Sequence, residues 1–219
     1  MSTLLETPET FSFLELQKQL GGVPAHRVLM RPPPGTATED EVLRMMAQDR
    51  ICELIDGTLV EKAMGMFESA TGMEIGRRIG NYLESNDIGF IAGADGTMKV
   101  RPGRVRIPDV AYYSYESCEG VKREAIPLMA PDLSIEVLSE SNTLKEMEIE
   151  RRDLFGAGTR LVWEIDPEAR TAEVFTGPDD STQLGMDGVL DGGDVLPGFK
   201  LPLAELFARV EKAMKKLNG

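Results

Sequence analysis

Two short apolar runs each carry a carboxylate where a β-strand enters or crosses the core, and that conflict limits what the chain can fold into. In RIPDVAYY, Asp109 follows Pro108 and opens Val110, Ala111, Tyr112 and Tyr113, a strand by its β-branched and aromatic content. In DLSIEVLS, alternation sends Leu133, Ile135 and Val137 to one face and Ser134, Glu136 and Leu138 to the other. A buried carboxylate is costly unless it is paired, hydrogen-bonded or bound to a metal. If the strands are neighbours and the two side chains share a face, one cation answers both costs. Hard oxygen ligands of this kind suit a divalent ion, Mg²⁺ or Mn²⁺. Two unrelated structural roles, one carboxylate capping a turn and the other meeting an arginine, satisfy the pattern equally.

The elements around these runs predict a mixed α/β domain. ICELIDGTLVEKA is a pair of apolar runs about Asp56-Gly57, a strong hairpin signal. MFESATGMEIGRRIGNYLES reads as a helix, and the stretch after it as strands broken at Asp95-Gly96 and Pro102-Gly103. NTLKEMEIERRDLFGAG is a helix capped by Asn142 or Thr143 and ended by its glycines. RLVWEIDP and TAEVFTG follow as strands, a looser hairpin region comes next, and LAELFARVEKAMKKL is a closing helix. One helix is expected on each side of a central sheet. Residues 1–49 read as a helical N-terminal extension and residues 50–219 as the domain. The extension holds a short helix closed by Gly21 and Gly22, a proline-rich linker and a second helix capped by Thr38. Its loop contains His26, the only histidine, which reads as bland.

Composition narrows the setting. Cys52 and Cys118 show neither CxxC spacing nor a disulfide framework, the first residues lack the pattern of a signal peptide, and no apolar run reaches the roughly 18 residues that span a bilayer. A cytoplasmic protein without a membrane segment is the expectation. Acidic residues number 37 against 24 basic ones, a net charge of −13, which argues against neutralising phosphates in bulk. A nuclease is still compatible, because an acidic cluster presents cationic charge to phosphate once it holds a metal.

ELIDGTLVEK, RIPDVAYY, APDLSIEVLSESN, GTRLVWEIDPEARTAEVF and DVLPGFKLPLAELF, in this order over residues 50–208, resemble the Uma2 family of restriction-endonuclease-like proteins. The resemblance implies a PD-(D/E)xK nuclease-type fold and metal-dependent cleavage of DNA. It also implies a homodimer, since nucleases of this fold often pair to cut both strands. It places the metal-binding aspartate on Asp109 and the strand glutamate on Glu136. Two departures stand out. The superfamily's lysine position, two residues after the glutamate, is Leu138, and the alternative lysine position in the following helix is Glu150. A glutamate there cannot stabilise a developing phosphate charge as lysine would, although it can add a metal ligand. An inert nuclease-like fold serving as a binding or assembly module is therefore the competing reading.

Other residues are candidates for the same site. Arg151 falls within the helical stripe of Leu144, Met147, Leu154 and Phe155. There it either reaches the carboxylate pair in place of the lysine or packs its stem and snorkels to water. Glu68 begins an inward stripe with Gly72, Ile75 and Ile79, where it contributes to the site or compensates the helix dipole. Glu53 matches a glutamate of the family's first strand. It either completes the metal shell or lies on the solvent side of the hairpin.

Overall fold

The computed structural model describes residues 12–62 and 65–215. Strands β1 (Cys52–Ile55) and β2 (Thr58–Glu61) form the expected hairpin. Asp56 and Gly57 both take positive φ, at 46° and 78°, as a type I′ turn requires. Strands β3 (Gly89–Gly93), β4 (Met98–Arg101), β5 (Arg104–Arg106) and β6 (Val110–Ser114) follow helix α3 (Met66–Leu83). Of these, β4 and β5 join the hairpin in a four-stranded antiparallel sheet of order β2-β1-β5-β4.

The N-terminal segment packs on this sheet. Helices α1 (Phe13–Gln19) and α2 (Glu39–Met46) open on capping boxes at Ser12 and Thr38. Leu16, Leu20, Val23 and Val28 bury against Ile55 and Val60, while Ala37 and Val42 bury against Leu54, Leu59 and Val105. Gly21 has φ of 78°, and a Cβ there would lie 2.6 Å from the backbone nitrogen of Glu146. Glycine thus permits both the turn and the close approach.

The larger sheet has six strands in the order β10-β9-β8-β7-β6-β3. It includes β7 (Leu133–Val137), β8 (Leu161–Asp166), β9 (Thr171–Phe175) and β10 (Ser181–Leu184). Strands β7 and β8 are parallel, joined by helix α4 (Leu144–Ala157), and the other pairings are antiparallel. A two-stranded ribbon, β11 (Val189–Asp191) and β12 (Lys200–Pro202), leads into α5 (Leu203–Lys215).

One face of the large sheet presents Val110, Tyr112, Leu133, Ile135, Trp163 and Ile165 to α3 and α5, and the other presents Ala111, Tyr113 and Val162 to α4. The expectation of one helix per side is thus corrected: α5 joins α3 on the same face, where its Leu206, Phe207 and Val210 complete the larger core. The inward stripe of α4 also differs from the expected one. Leu144 is 90% exposed, and the helix buries Glu146, Met147, Glu150 and Leu154. The i, i+4, i+8 row wins because arginines from other elements wait opposite its two glutamates.

Candidate active site

The two sheets meet at Asp109. Strand β5 runs through Ile107 and Pro108 directly into β6 of the large sheet. Val110 pairs with Ile135, so one further step of that register sets Asp109 opposite Glu136 on the α4 face. Asp109 Oδ2 accepts a hydrogen bond from the Val137 amide at 2.7 Å. The carboxylates are only 6% and 5% exposed.

Between them stands the ammonium of Lys62, the residue that follows β2. Its Nζ lies 2.8 Å from Asp109 Oδ1 and 3.2 Å from Glu136 Oε2, and it donates to the Ile107 carbonyl. The contact with Asp109 Oδ1 is an ion pair, and among the described residues this buried oxygen has no hydrogen-bond partner. A cavity of ≈ 20 Å³ adjoins the pair, with Glu53, Glu68, Leu138 and Glu150 among its walls. That volume holds about one water-sized species. Beside it a groove of ≈ 720 Å³ shares Glu68, Leu138 and Ser139.

Arginines fix the surroundings. Arg106, 1% exposed, donates to Glu53 Oε2 at 2.7 Å and to Asp153 Oδ2 at 3.0 Å. Glu53 Oε1 accepts from the Ile107 amide at 3.0 Å. Glu53 therefore holds the backbone just before Asp109, with both of its oxygens engaged. Arg27 forks onto Glu146 at 2.9 and 3.2 Å and donates to the carbonyls of Glu61 and Ser141. It ties the end of β2 to the loop after β7 and to the first turn of α4.

Burial pushes Glu136 well above the usual carboxylate range, with Lys62 opposing and Glu150 and Asp109 adding to the shift. Burial likewise raises Glu150 to about 8, helped by Glu53 and opposed by Arg106 and Lys62. Burial works to raise Glu53 too, but Arg106 and Lys62 outweigh it and hold that carboxyl low. At Lys62, burial favours the neutral amine, yet Glu136 and Asp109 prevail and keep it charged. The buried acids of this cluster outnumber its cations, and protons stay where positive charge is short.

Of the residues singled out in the sequence, Asp109, Glu136 and Glu53 meet in this cluster, and Glu68 stands at its mouth in the first turn of α3. Arg151 points to the sheet but away from the pair. It bonds Glu164 at 2.6 Å and lies over the Phe175 ring, 4.1 Å from its centre. Its partner is the β8 residue in register with Glu136, so it is one strand too far to replace a lysine. Glu53 lines the same cavity as the pair, with one oxygen on the Ile107 amide and the other on Arg106. Sequence reasoning missed Lys62, Arg106, Arg27 and Glu146. Arg104 and Arg106 alternate onto one face just before Asp109, and that was a usable signal. Lys62 and Arg27 gave none, since each reaches the site only through packing of the smaller sheet.

Among the described residues no group of three or more His, Cys, Asp or Glu is arranged as a ready metal cage. A hydrated Mg²⁺ asks for less, since it keeps several waters and is usually bound through one or two carboxylates. Asp109 and Glu136 meet that requirement, and the Lys62 ammonium on Oδ1 and the cluster's surplus of acid both show that the place suits a cation.

The comparisons agree with this architecture. A protein of Anabaena variabilis solved at 1.96 Å, described as "a putative nuclease belonging to DUF820", is 20% identical and superposes with a TM-score of 0.67. The likeness covers 79% of this chain and 98% of that one, and it shows a nuclease fold. A comparison with curated proteins finds no match. Residues 39–204 match the family described as "Putative restriction endonuclease", a span that includes both sheets, α4 and every carboxylate of the cluster. The chain belongs to the Uma2 family.

Proposed function

We propose that the protein is a metal-dependent endonuclease that hydrolyses phosphodiester bonds in DNA. The observation that carries this reading is the Asp109–Glu136 pair, buried on neighbouring strands around one positive charge and beside a cavity that opens to a groove. Restriction-endonuclease-like families usually use divalent metals, and Mg²⁺ or Mn²⁺ is the ion proposed here. Asp109 and Glu136 would hold it, and a bound divalent ion supplies a water of lowered pKa and neutralises charge developing on phosphate. Glu53 and Arg106 position the Ile107–Asp109 backbone, and Glu68 faces the entering substrate. Cutting both strands of a duplex calls for two such sites, so the proposal extends to a homodimer on DNA.

The test is plasmid cleavage by the full chain with Mg²⁺, with Mn²⁺ and with chelator, alongside Asp109→Asn. Metal-dependent nicking by the wild type, reduced at least about 100-fold in Asp109→Asn, is expected. No cleavage of DNA with either metal would leave the inert binding module as the better reading.

A further inference from the structure

We propose that Lys62 is an exchangeable cation: its ammonium holds Asp109 and Glu136 together while no divalent ion is bound, and turns to the substrate phosphate when one is. This rests on the nuclease reading above.

Three observations support it. First, one Nζ contacts both carboxylates, at 2.8 and 3.2 Å, so it sits where an ion shared by the pair would sit. The adjoining cavity of ≈ 20 Å³ has no room for a second, hydrated cation beside it. Second, Lys62 follows β2 of the smaller sheet, while Glu136 lies in β7 and Asp109 directly before β6 of the larger one. The flexible four-carbon stem can therefore swing without breaking a strand pairing. Third, the positions at which the family resemblance expects a lysine are Leu138 and Glu150, and Lys62 brings the positive charge to the same carboxylates from the opposite sheet. Glu150 lines the cavity with its Oε1 buried and, among the described residues, without a hydrogen-bond partner, an acceptor toward which a displaced ammonium can move. The exchange balances: the pair gives up one ammonium, together with the proton that burial favours on Glu136, for a divalent ion. The proton leaves to solvent, and the freed ammonium meets the phosphate anion.

The experiment compares the wild type, Lys62→Met and Lys62→Arg for Mn²⁺ binding by calorimetry and for plasmid nicking. Removing the competing ammonium should tighten Mn²⁺ binding of Lys62→Met by about tenfold or more, while nicking falls about 100-fold. Lys62→Arg, which keeps the competing charge, should bind Mn²⁺ no more tightly than the wild type. A lysine with a purely structural role would instead leave Mn²⁺ binding unchanged or weakened in Lys62→Met, and that result overturns the proposal.

Tighter binding with unchanged nicking removes the phosphate contact and with it the exchange. If the wild type neither binds nor cuts while Lys62→Met binds Mn²⁺, Lys62 is a fixed plug and the nuclease reading fails as well. If no form binds Mn²⁺, the nuclease reading itself falls. Should Lys62→Met not fold, amine labelling of wild-type Lys62 followed by mass spectrometry decides. Mg²⁺ should accelerate it severalfold, and an unchanged labelling rate overturns the exchange.

Discussion

Glu150 shows how far a residue's charge depends on its surroundings. By position it is a charge reversal of the family's helix lysine, but burial beside Glu53 raises its pKa to about 8, so near neutral pH it is mostly an uncharged acid. The folded chain keeps this proton to about pH 8 whereas the unfolded chain releases it near 4.5. The stability linked to it is thus complete below the unfolded value and is lost as pH rises through the folded one. Glu150→Gln, which copies the protonated shape, should melt with the wild type near pH 5 and about 5 °C or more above it near pH 9. Equal melting at both ends would mean that Glu150 is ionised in the fold. The acids of the site were legible in the sequence because a carboxylate inside an apolar strand is a visible conflict. Of their cations only Arg106 left a trace, in its alternation with Arg104, while Lys62 and Arg27 did not, because a lysine or arginine near a strand end reads as solvent-facing until its partner is placed.

At the level of elements, the N-terminal segment completes the smaller sheet. Starting the chain at residue 50 would remove Leu16, Leu20, Val23, Val28 and Val42 from two buried clusters. It would also strip Arg27 from Glu146, and a buried ion pair that loses one partner typically costs about 3–5 kcal/mol. The truncated chain should therefore lose cooperative thermal unfolding and expose apolar surface to a hydrophobic dye. A sharp melting transition with native-like circular dichroism would show instead that residues 1–49 are an independent addition. Local signals revealed much of the fold: the Asp56-Gly57 turn, the Thr143 cap and the alternation in β7 each point to the element observed. What they could not reveal was the partner of each face. The stripe proposed for α4 included Leu144 because apolar character is the only cue available before packing. The face that won carries glutamates, because Arg27 arrives from the N-terminal segment and Arg106 from β5.

For the whole molecule, the nuclease reading proposed above raises the question of how a protein of net charge −13 would meet a polyanion. The groove beside the site adds to the difficulty, since Glu68, Glu140, Asp166 and Glu168 line it and, among the described residues, no lysine or arginine does. A basic nuclease with 6–10 phosphate contacts loses affinity steeply with salt, with a logarithmic slope of about −5 to −9. On the same nuclease reading, the attractive contacts would come chiefly from a metal at the carboxylate pair and from Lys62, against a repulsive long-range field from the net charge of −13. Screening that field offsets the loss of attraction as the Debye length shrinks to about 10 Å at 0.1 M salt. The slope of log kcat/KM against log salt should therefore be no steeper than about −1. Glu140 and Glu168 are exposed and outside the carboxylate cluster, so if DNA is the substrate, reversing them should change its approach and leave the chemistry alone. Glu140→Lys with Glu168→Lys should lower KM for DNA at low salt by about tenfold, keep kcat, and steepen the salt slope by about one unit per lysine that reaches a phosphate. Kinetics over a salt series on both proteins check this. A steep slope in the wild type, or a double variant indistinguishable from it, would mean that DNA approaches along some other surface.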